Sequence, residues 1–307
     1  MVSYGITHES GRLERVLVHH PGAELNEANR DPVKHHFEKP VNINRFILEH
    51  KRLMESLREA GVEVLNIREI VGEIMGEAIE KCPNLVFTRD SSSVTNAGAI
   101  IMRMGLPSRR LETPIIKAVY KTIGVPVGIQ LEEPETFEGG GFALLEDRVA
   151  VAGLCSRTTR RALELIRDFL FREQLVDLFI ILNLPEGEIH IDGDFVELPG
   201  KLALVHTGTL EYALAEFYKG SDMWSGSFIE WLKEEGWQTL EITDKERLDM
   251  AANFLTIDRD LAIHYEGNPR VIKEVRSRGI EVIQIPGSEM KKGNGGIHCM
   301  TCPILRT

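Results

Sequence analysis

The sequence repeats one pattern of local structure, and this repeat restricts the possible folds more than any other feature. Each unit contains two apolar runs joined by a turn, followed by a helical stretch and a third apolar run. Four units begin at Asp90, Glu138, His190 and Asn253, so successive starts lie 48, 52 and 63 residues apart. A period of about 50 residues is typical of propellers and related repeat architectures. We therefore predict a mixed α/β fold built from ββαβ units.

The first unit shows the pattern most clearly. Two strand-like runs flank a turn at residues 96–98, and apolar residues recur at helical spacing through residues 112–123. Gly124 follows directly, as glycine commonly does at the end of a helix. In the second unit, Thr158 or Thr159 can cap the helix through its hydroxyl group.

The remaining segments predict a fifth unit that is divided between the two ends of the chain. Residues 296–305 would pair with residues 13–19, followed by a helix over 44–60 and a strand over 62–67. This pairing would close the units into a ring and make residues 1–307 a single domain. The alternative is that the same order of elements, which is common in mixed α/β proteins, recurs here by chance.

The charge balance argues against several classes of partner. Lys and Arg total 36 residues against 47 for Asp and Glu, which gives a formal net charge of −11. An acidic surface disfavours nucleic acids and anionic membranes as partners. With 4 cysteines and no signal-like or membrane-spanning apolar segment, we expect a cytoplasmic protein in a reducing compartment. The assembly state stays open between a monomer and a homo-oligomer.

Side chains with chemical potential lie where the units begin. Asp90, Glu138 and His190 each open a unit, and Asp192 follows His190 by two residues. Cys299 lies in the segment that opens the divided fifth unit. Because equivalent strand ends converge near the axis of a ring of repeats, these five residues can line one central pocket.

Cys299 is the candidate nucleophile of this pocket. It follows the glycine-rich residues 293–296, where the backbone can approach a ligand closely, and a thiolate is a strong nucleophile. One alternative is a redox or metal-binding pair with Cys302, and another is a small buried hydrophobe. A zinc site would need further ligands, but Cys82 and Cys155 stand alone in the sequence.

The other candidates also have structural alternatives. His190 and Asp192 would lie on one face of a strand, which suits a base with a carboxylate beside it or simply an exposed strand face. Asp90 is either a site carboxylate or a turn carboxylate paired with an arginine. Glu138 precedes three glycines without the spacing of a phosphate-binding loop. Together, three carboxylates, an imidazole and a thiol favour a planar cation such as a guanidinium group.

Four motifs resemble, in the same order, those of the guanidino-group-modifying enzymes and of arginine deiminases in particular. They occupy residues 82–90, the Glu-Gly-Gly of 138–140, the His-x-Asp of 190–192, and residues 295–303 around the cysteine. The resemblance extends from about residue 82 to the C-terminus. It implies a five-bladed α/β propeller, the pentein fold, forming a single catalytic domain that hydrolyses arginine to citrulline and ammonia without metal or organic cofactor.

The resemblance also implies a role for each candidate residue. Cys299 would attack the guanidinium carbon, while Asp90 and Asp192 would bind the guanidinium nitrogens and hold the carbon in place. The positive charge of the substrate would favour the Cys299 thiolate. His190 would protonate the departing ammonia and then activate water, and Glu138 would orient His190.

Substrate choice is less constrained. Arg109 and Arg157 match two arginines that bind the substrate carboxylate in the family, and Asn84 and Asn294 lie within motifs that contact substrate. Asn294 stands near the usual place of a third arginine, and Gly141 replaces an aspartate that usually completes the Glu-Gly-Gly motif. These departures leave open agmatine or a methylated arginine as substrate, transfer of the amidino group to an amine, and a non-catalytic arginine-binding protein.

Overall fold

The computed structural model describes residues 2–307 and contains alternating strands and helices. The β-strands are β1 (Leu13–Val18), β2 (Glu63–Asn66), β3 (Ser92–Thr95), β4 (Gly98–Ile101), β5 (Val127–Gln130), β6 (Phe142–Leu145), β7 (Val149–Leu154), β8 (Leu178–Asn183), β9 (Phe195–Leu198), β10 (Leu202–Val205), β11 (Leu214–Lys219), β12 (Asp222–Ser227), β13 (Gln238–Glu241), β14 (Leu255–Asp258), β15 (Leu261–Tyr265), β16 (Glu281–Ile285) and β17 (Cys302–Arg306). The α-helices are α1 (Leu25–Arg30), α2 (Ile43–Glu59), α3 (Ile67–Ile79), α4 (Thr88–Ser91), α5 (Glu112–Ile123), α6 (Arg160–Arg172), α7 (Thr207–Leu210), α8 (Phe228–Glu234), α9 (Asp244–Leu248) and α10 (Pro269–Ser277).

The strand pairing has the predicted ββαβ form in every unit. In the first unit, β3 and β4 form an antiparallel hairpin, α5 follows, and β5 pairs parallel to β4. The same arrangement holds for β6-β7-β8, β9-β10-β13 and β14-β15-β16. The divided fifth unit is also present, because β17 pairs antiparallel with β1 and β2 pairs parallel to β1. The predicted α/β fold is therefore confirmed at the level of its units.

Local sequence signals account for several element ends. The side chain of Thr159, one of the two predicted caps, accepts a hydrogen bond from the backbone N–H of Ala162 at the start of α6. Gly124 ends α5 in the left-handed conformation with φ 78°. The apolar residues predicted for this helix, including Ile115 and Val119, are fully buried.

The third unit contains a hairpin that the sequence analysis did not predict. The segment between β10 and β13 was expected to be helical, but it forms β11 and β12 between the short helices α7 and α8. β11 pairs with β8, so the hairpin extends the second unit's sheet to five strands. β12 is largely exposed, so it lacks the alternation of apolar residues that identifies a half-buried strand.

The prediction that His190 and Asp192 lie on one face of a strand was wrong. Residues 190–194 form a turn, in which the backbone N–H groups of Asp194 and Phe195 both donate to the carbonyl of Ile191. Strand β9 begins only at Phe195. The side chains of His190 and Asp192 are therefore placed by a loop at the strand entrance rather than by the alternation of a strand.

The apolar core lies between the sheets. Ile100 on β4 belongs to a cluster with Leu144 and Ala150 of the second unit, while its neighbour Ile101 belongs to a cluster with Leu17 and Ile304 of the fifth. Successive strand residues point to opposite faces, so one strand contributes to two clusters. Three further clusters join the second unit to the third, the third to the fourth, and the fourth to the fifth. Every unit therefore shares a core with two others.

Among residues 2–307, none of the helices combines the length and the apolar character that crossing a membrane requires.

Candidate active site

Residues that open different units meet at one concave region of the molecule. Its larger part, here called the outer cavity, has a volume of about 490 Å³ and is lined in part by Cys299, His190 and Asp192. Its smaller part, the inner pocket, has a volume of about 30 Å³, and Cys299 and His190 line it together with Asp90 and Asn84. The structure thus brings the thiol, the imidazole and two of the predicted carboxylates to one place.

One wall of the inner pocket holds the thiol. Sγ of Cys299 lies 3.2 Å from Oδ2 of Asp192 and 3.3 Å from Nδ2 of Asn253. The same Asp192 oxygen lies 3.2 Å from Nδ1 of His298. Asn253 also accepts a hydrogen bond from the backbone N–H of His298 at 2.8 Å. A single amide side chain therefore holds both the thiol and the backbone next to it.

The surroundings of Cys299 keep its thiol protonated. Burial raises the pKa of Cys299 well above its usual value, and the carboxylates of Asp192 and Asp90 raise it further. Hydrogen bonds from the Gly296 backbone and the Asn253 side chain lower it by less. A positive charge placed between the thiol and these carboxylates would act in the opposite direction. A bound cation at this place would therefore favour the Cys299 thiolate.

Asp192 itself is held as a carboxylate. Burial alone would raise its pKa, but a hydrogen bond with His298, the charges of His298 and His190, and the Cys299 thiol lower the pKa of Asp192 overall. It therefore presents negative charge at the mouth of the inner pocket.

A second wall holds the imidazole. Nε2 of His190 lies 2.9 Å from Oε2 of Glu138, and Nδ1 lies 3.8 Å from Oδ1 of Asp90. The second oxygen of Glu138 accepts the backbone N–H groups of Gly105 at 3.0 Å and Leu106 at 3.2 Å. Glu138 is thus held from both sides and fixes the plane of the His190 ring.

The carboxylates around His190 favour its charged form. Burial would lower the pKa of His190, but Asp90, Glu138 and Asp192 outweigh burial and raise it above its usual value. The pKa of Glu138 lies well below its usual range, because contact with His190 and two nearby arginines outweighs the effect of burial. This wall therefore carries a stable ion pair with a proton available on the imidazole.

Arg109 supports Asp90 from within the protein. Its Nη1 donates to Oδ2 of Asp90 at 2.6 Å, and its Nε and Nη2 donate to the two oxygens of Glu112 at 2.8 and 2.9 Å. Nη2 also donates to the carbonyl oxygens of Asn84 and Phe87 at 3.3 and 3.4 Å. Burial raises the pKa of Glu112 to about 7 despite this pairing. Arg109 touches the inner pocket, but protein acceptors surround its guanidinium group.

The remaining predicted substrate residues also lie at the inner pocket. Arg157 is half-buried, and its Nη1 donates to Oε2 of Glu138 at 3.0 Å. Asn294 and Asn84 each donate a side-chain N–H to a backbone carbonyl within residues 35–36, at 2.8 and 2.9 Å. The position of Arg157 at this edge suits contact with a substrate carboxylate, which stays a prediction.

Two glycines of the motifs make room for the side chains of the site. A Cβ atom on Gly140 would lie 2.6 Å from Nδ1 of His190 and 2.8 Å from Oδ1 of Asp90. A Cβ atom on Gly296 would lie 2.1 Å from Oδ1 of Asn253. The glycines near Cys299 were predicted to let a ligand approach the backbone. Gly296 instead makes room for the side chain of Asn253, which holds the thiol.

Asp90 does pair with an arginine, as its structural alternative predicted, but the partner is Arg109 and not the neighbouring Arg89. Arg89 donates through Nε to the carbonyl of His298 and through Nη1 to Glu9, both at 2.9 Å. It therefore ties the backbone beside Cys299 to the N-terminal segment.

Cys302, the partner of Cys299 in the redox alternative, contacts other buried side chains. All four cysteines are free, and Sγ of Cys302 lies 3.6 Å from the hydroxyl of Tyr120 in a buried environment.

Two groups within residues 2–307 bring three metal-capable side chains together, namely Asp90 with Glu138 and His190, and His8 with Glu146 and Glu197. In the first group, the guanidinium groups of Arg109 and Arg157 already pair with two of the carboxylates. A metal ion there would have to compete with these fixed positive charges.

Asn253 is the functional candidate that the sequence analysis did not select. It opens the fourth unit, just as Asp90, Glu138 and His190 open the first three. The position of Asn253 in the repeat was therefore the signal that could have identified it. An amide side chain, unlike an ionisable group, does not by itself indicate catalysis.

Comparison with known sequences assigns the chain to a family. A family model described as arginine deiminase matches residues 76–306. The arginine deiminase of Listeria welshimeri is 26% identical over 288 residues, which cover 83% of this chain and 70% of that protein. A Bacillus subtilis protein named YkgA is 24% identical over 299 residues and covers 97% of this chain and 94% of its own length.

Solved structures share the fold. A Pseudomonas aeruginosa dimethylarginine dimethylaminohydrolase, in a mutant form with citrulline, superposes with a TM-score of 0.72 at 20% identity, over 95% of this chain and 99% of that chain. The N-terminal domain of ArgZ, an arginine dihydrolase of a cyanobacterial ornithine-ammonia cycle, gives a TM-score of 0.72 at 18% identity over 95% and 97% of the two chains.

Fold and family model together define a guanidino-group-modifying enzyme of the pentein superfamily, a class whose deiminase and dimethylaminohydrolase members are hydrolases of C–N bonds. The chain belongs to the arginine deiminase family. The predicted resemblance and the predicted enzyme class are thereby confirmed.

Proposed function

We propose that the protein hydrolyses the guanidinium group of arginine to citrulline and ammonia through a covalent intermediate on Cys299. The observation that carries this proposal is the inner pocket, which the Cys299 thiol and the His190 imidazole both line, with carboxylates beside each. A guanidinium group is planar, cationic and rich in N–H donors, which suits these carboxylates.

The guanidinium group would bind between Asp90 and Asp192. Oδ1 of Asp90 is buried and has no hydrogen-bond partner within residues 2–307, so it is an acceptor available to a ligand. Asp192 contacts Sγ of Cys299, so a guanidinium nitrogen bound to Asp192 would bring the central carbon close to the thiol. The positive charge would offset the carboxylates that raise the pKa of Cys299.

The first half of the reaction would form a C–S bond and break a C–N bond. As the substrate binds, the thiol proton leaves to water in the outer cavity, and Sγ of Cys299 attacks the guanidinium carbon. His190 donates its proton to one terminal nitrogen of the tetrahedral adduct, and that nitrogen departs as ammonia. The product of this half is a positively charged amidino-thioether on Cys299, and His190 is left neutral.

The second half would reverse the roles of these groups. Neutral His190 takes a proton from a water molecule, whose oxygen attacks the amidino carbon and forms a C–O bond. Collapse of the second tetrahedral adduct breaks the C–S bond, and its hydroxyl proton passes to the departing sulfur, which frees citrulline and restores the Cys299 thiol. Glu138 supports both halves, because its hydrogen bond favours the charged imidazole that each proton transfer uses or creates.

We assign different roles to Arg157 and Arg109. We propose that Arg157 at the edge of the inner pocket contacts the substrate carboxylate, with Asn294 completing this side. Arg109 acts as a positioning residue, because its donors already bind Asp90, Glu112 and backbone carbonyls.

A substrate panel read by product mass tests the proposal. The wild-type protein should release ammonia and citrulline from L-arginine in equal amounts, and water labelled with ¹⁸O should place its oxygen in the citrulline. Cys299→Ser serves as the matched control and should be inactive. If an added amine captures the amidino group, the protein is an amidinotransferase and not a hydrolase. If arginine binds but no product forms, the protein is a non-catalytic binding protein.

Methylated arginine is the second candidate substrate. A dimethylarginine dimethylaminohydrolase is among the structural neighbours, and the match covers 99% of its chain. In addition, Asn294 stands near the place where the family resemblance implies an arginine. Release of methylamine or dimethylamine in preference to ammonia would decide for this candidate. Agmatine, which lacks the carboxylate, completes the panel as a test of the role of Arg157.

The same proposal extends to architecture and setting. The five apolar clusters, each shared by two units, support a closed five-bladed α/β propeller comprising residues 1–307 as one catalytic domain. We further propose that the enzyme works in the cytoplasm without metal or organic cofactor in its reaction, as a monomer or a homo-oligomer, and without nucleic-acid or membrane partners.

A further inference from the structure

A second cluster of titratable side chains lies outside the active site, where the N-terminal segment meets the β6–β7 turn and strand β9. One ligand atom from each of His8, Glu146 and Glu197 lies within 4.8 Å of the other two. The hydroxyl of Ser10 lies 2.8 Å from Nδ1 of His8, 2.9 Å from Oε1 of Glu146 and 2.8 Å from Oε1 of Glu197. A hydroxyl has one proton, so Ser10 can donate to only one of these carboxylates at a time.

The Glu197 carboxylate is buried without a matching positive charge. Glu197 is 2% exposed, and its Oε2 has no hydrogen-bond partner within residues 2–307. Arg306 is a charged neighbour, but its Nη1 donates to two backbone carbonyls and its Nη2 faces Glu9 at 3.9 Å. Burial raises the pKa of Glu197 well above its usual value, so either a proton or a bound cation must neutralise this carboxyl group.

The donor set and its access suit a metal ion. An imidazole with two carboxylates is a ligand combination that Zn²⁺ and Mn²⁺ accept. His8, Ser10 and Glu146 line a cavity of about 700 Å³, which gives an ion a path from solvent. This cavity shares no lining residue with the outer cavity or the inner pocket.

We propose that His8, Glu146 and Glu197 bind one divalent transition-metal cation, Zn²⁺ or Mn²⁺, in a structural site separate from the active site. The cation would neutralise the two carboxylates and connect the N-terminal segment to the second and third units. Small rotations of the half-buried His8 and Glu146 side chains would bring their ligand atoms to coordination distance.

The position of the cation gives it a structural consequence. Glu9, between His8 and Ser10, pairs with Arg89, and Arg89 donates to the carbonyl of His298 beside the nucleophile. A cation that fixes residues 8–10 would therefore fix the segment that holds Arg89 in place.

Metal titration of the full-length protein tests this proposal. Protein stripped with EDTA and desalted should bind about one equivalent of Zn²⁺ or Mn²⁺ per chain, measured by elemental mass spectrometry after dialysis. Binding should raise the thermal midpoint by several degrees, because a ligand that binds only the folded state stabilises it. It should also slow amide hydrogen exchange in residues 5–12.

Variants locate the bound ion. His8→Gln and Glu197→Gln should each weaken binding at least about tenfold, the smallest loss expected even for a residue that only supports a ligand, and should remove the rise in thermal midpoint. Asp147→Asn is the matched control, because Asp147 lines the same cavity but its carboxylate pairs with Lys201. It should bind the metal as the wild type does.

Three results would overturn the proposal. The first is bound metal well below one equivalent in the wild type. The second is binding that survives both His8→Gln and Glu197→Gln, which would place the ion elsewhere. The third is a wild type that binds no metal together with a Glu197→Gln variant that is more stable than the wild type. This result would show that a proton shared by Glu146 and Glu197 neutralises the two carboxylates. Because His8 is half-exposed, His8→Gln should fold even if Glu197→Gln does not.

Discussion

The two walls of the inner pocket are both buried and both acidic, but their charges are balanced in opposite ways. The acid–base wall, formed by Asp90, Glu138 and His190 with Arg109 and Arg157, pairs its carboxylates with cations of the protein. The nucleophile wall consists of Cys299 with Asp192, Asn253 and His298, and its contacts to Asp192 come from a thiol and an imidazole. The first wall contains two arginines, although Oδ1 of Asp90 is left without a hydrogen-bond partner. The second wall has no arginine or lysine, and burial lowers the pKa of its His298 imidazole.

This difference indicates how the two walls divide the work. The acid–base wall raises the pKa of His190, so that a proton is available before substrate arrives. The nucleophile wall raises the pKa of Cys299, so that the thiol stays unreactive until a cation binds. A thiolate already present in the free enzyme would react with oxidants and with unselective electrophiles. Under the proposed mechanism, this contrast would make the reactivity of Cys299 depend on the charge of the ligand.

The largest expected effect comes from removing the proton donor. His190→Gln should lower kcat for arginine by about 10³-fold, within the range for loss of a general acid–base group. A cationic amidine reagent should still alkylate Cys299 in this variant, because the nucleophile wall is unchanged. Loss of alkylation together with activity would show that the two walls do not act separately.

Glu138→Gln should lower kcat by about 10- to 100-fold and change the pH profile. The acid form of His190 supports activity below its pKa, and activity is lost as pH rises through that pKa. Removing the Glu138 charge lowers the pKa of His190, so the basic limb of the kcat profile should move to lower pH. An unchanged basic limb would contradict the assigned partner of His190.

Arg109→Lys should weaken the support of Asp90 without removing a charge. Lysine lacks the planar fork that binds Asp90 and Glu112 together, so we expect a loss of about 2 kcal/mol in the free energy of unfolding. The KM for arginine should rise because Asp90 is no longer held in place. Arg110→Lys is the matched control at the exposed neighbouring position and should change neither quantity. A rise in KM for arginine but not for agmatine would instead assign Arg109 to the substrate carboxylate.

Asn253→Ala should have the smallest effect, a fall in kcat of about tenfold, equivalent to one lost hydrogen bond to the thiolate. Asn253→Asp keeps the shape but adds negative charge beside Cys299, so it should raise the pKa of the thiol further and lose more activity. Equal losses in both variants would show that Asn253 holds the backbone of His298 rather than tuning the thiol.

Much of this arrangement could be predicted from the sequence because it follows the repeat. The period brought Asp90, Glu138 and His190 to equivalent positions, and strand pairing in the structure has the same unit order. The hairpin β11–β12 was not predicted because its outer strand is exposed and shows no alternation of apolar residues. The turn at residues 190–194 escaped because a His-x-Asp pattern fits a strand and a loop equally well.

Contacts between units could not be predicted in the same way. Arg89 is the neighbour of Asp90 in sequence, yet it reaches Glu9 and His298 in other segments. Asp90 is bound instead by Arg109, 19 residues further along the first unit. Spacing within one segment cannot show such partners, because they depend on how separate segments approach one another.

The central claim is that Cys299 becomes reactive only when a cation occupies the inner pocket. Its most direct test compares alkylation by chloroacetamidine, which is cationic, with alkylation by chloroacetamide, which is neutral and of nearly the same size, across a range of pH, with Cys299→Ser as the control. We predict that the cationic reagent modifies Cys299 much faster at pH 7 and with a lower apparent pKa. Equal rates and equal apparent pKa values for the two reagents would contradict the account.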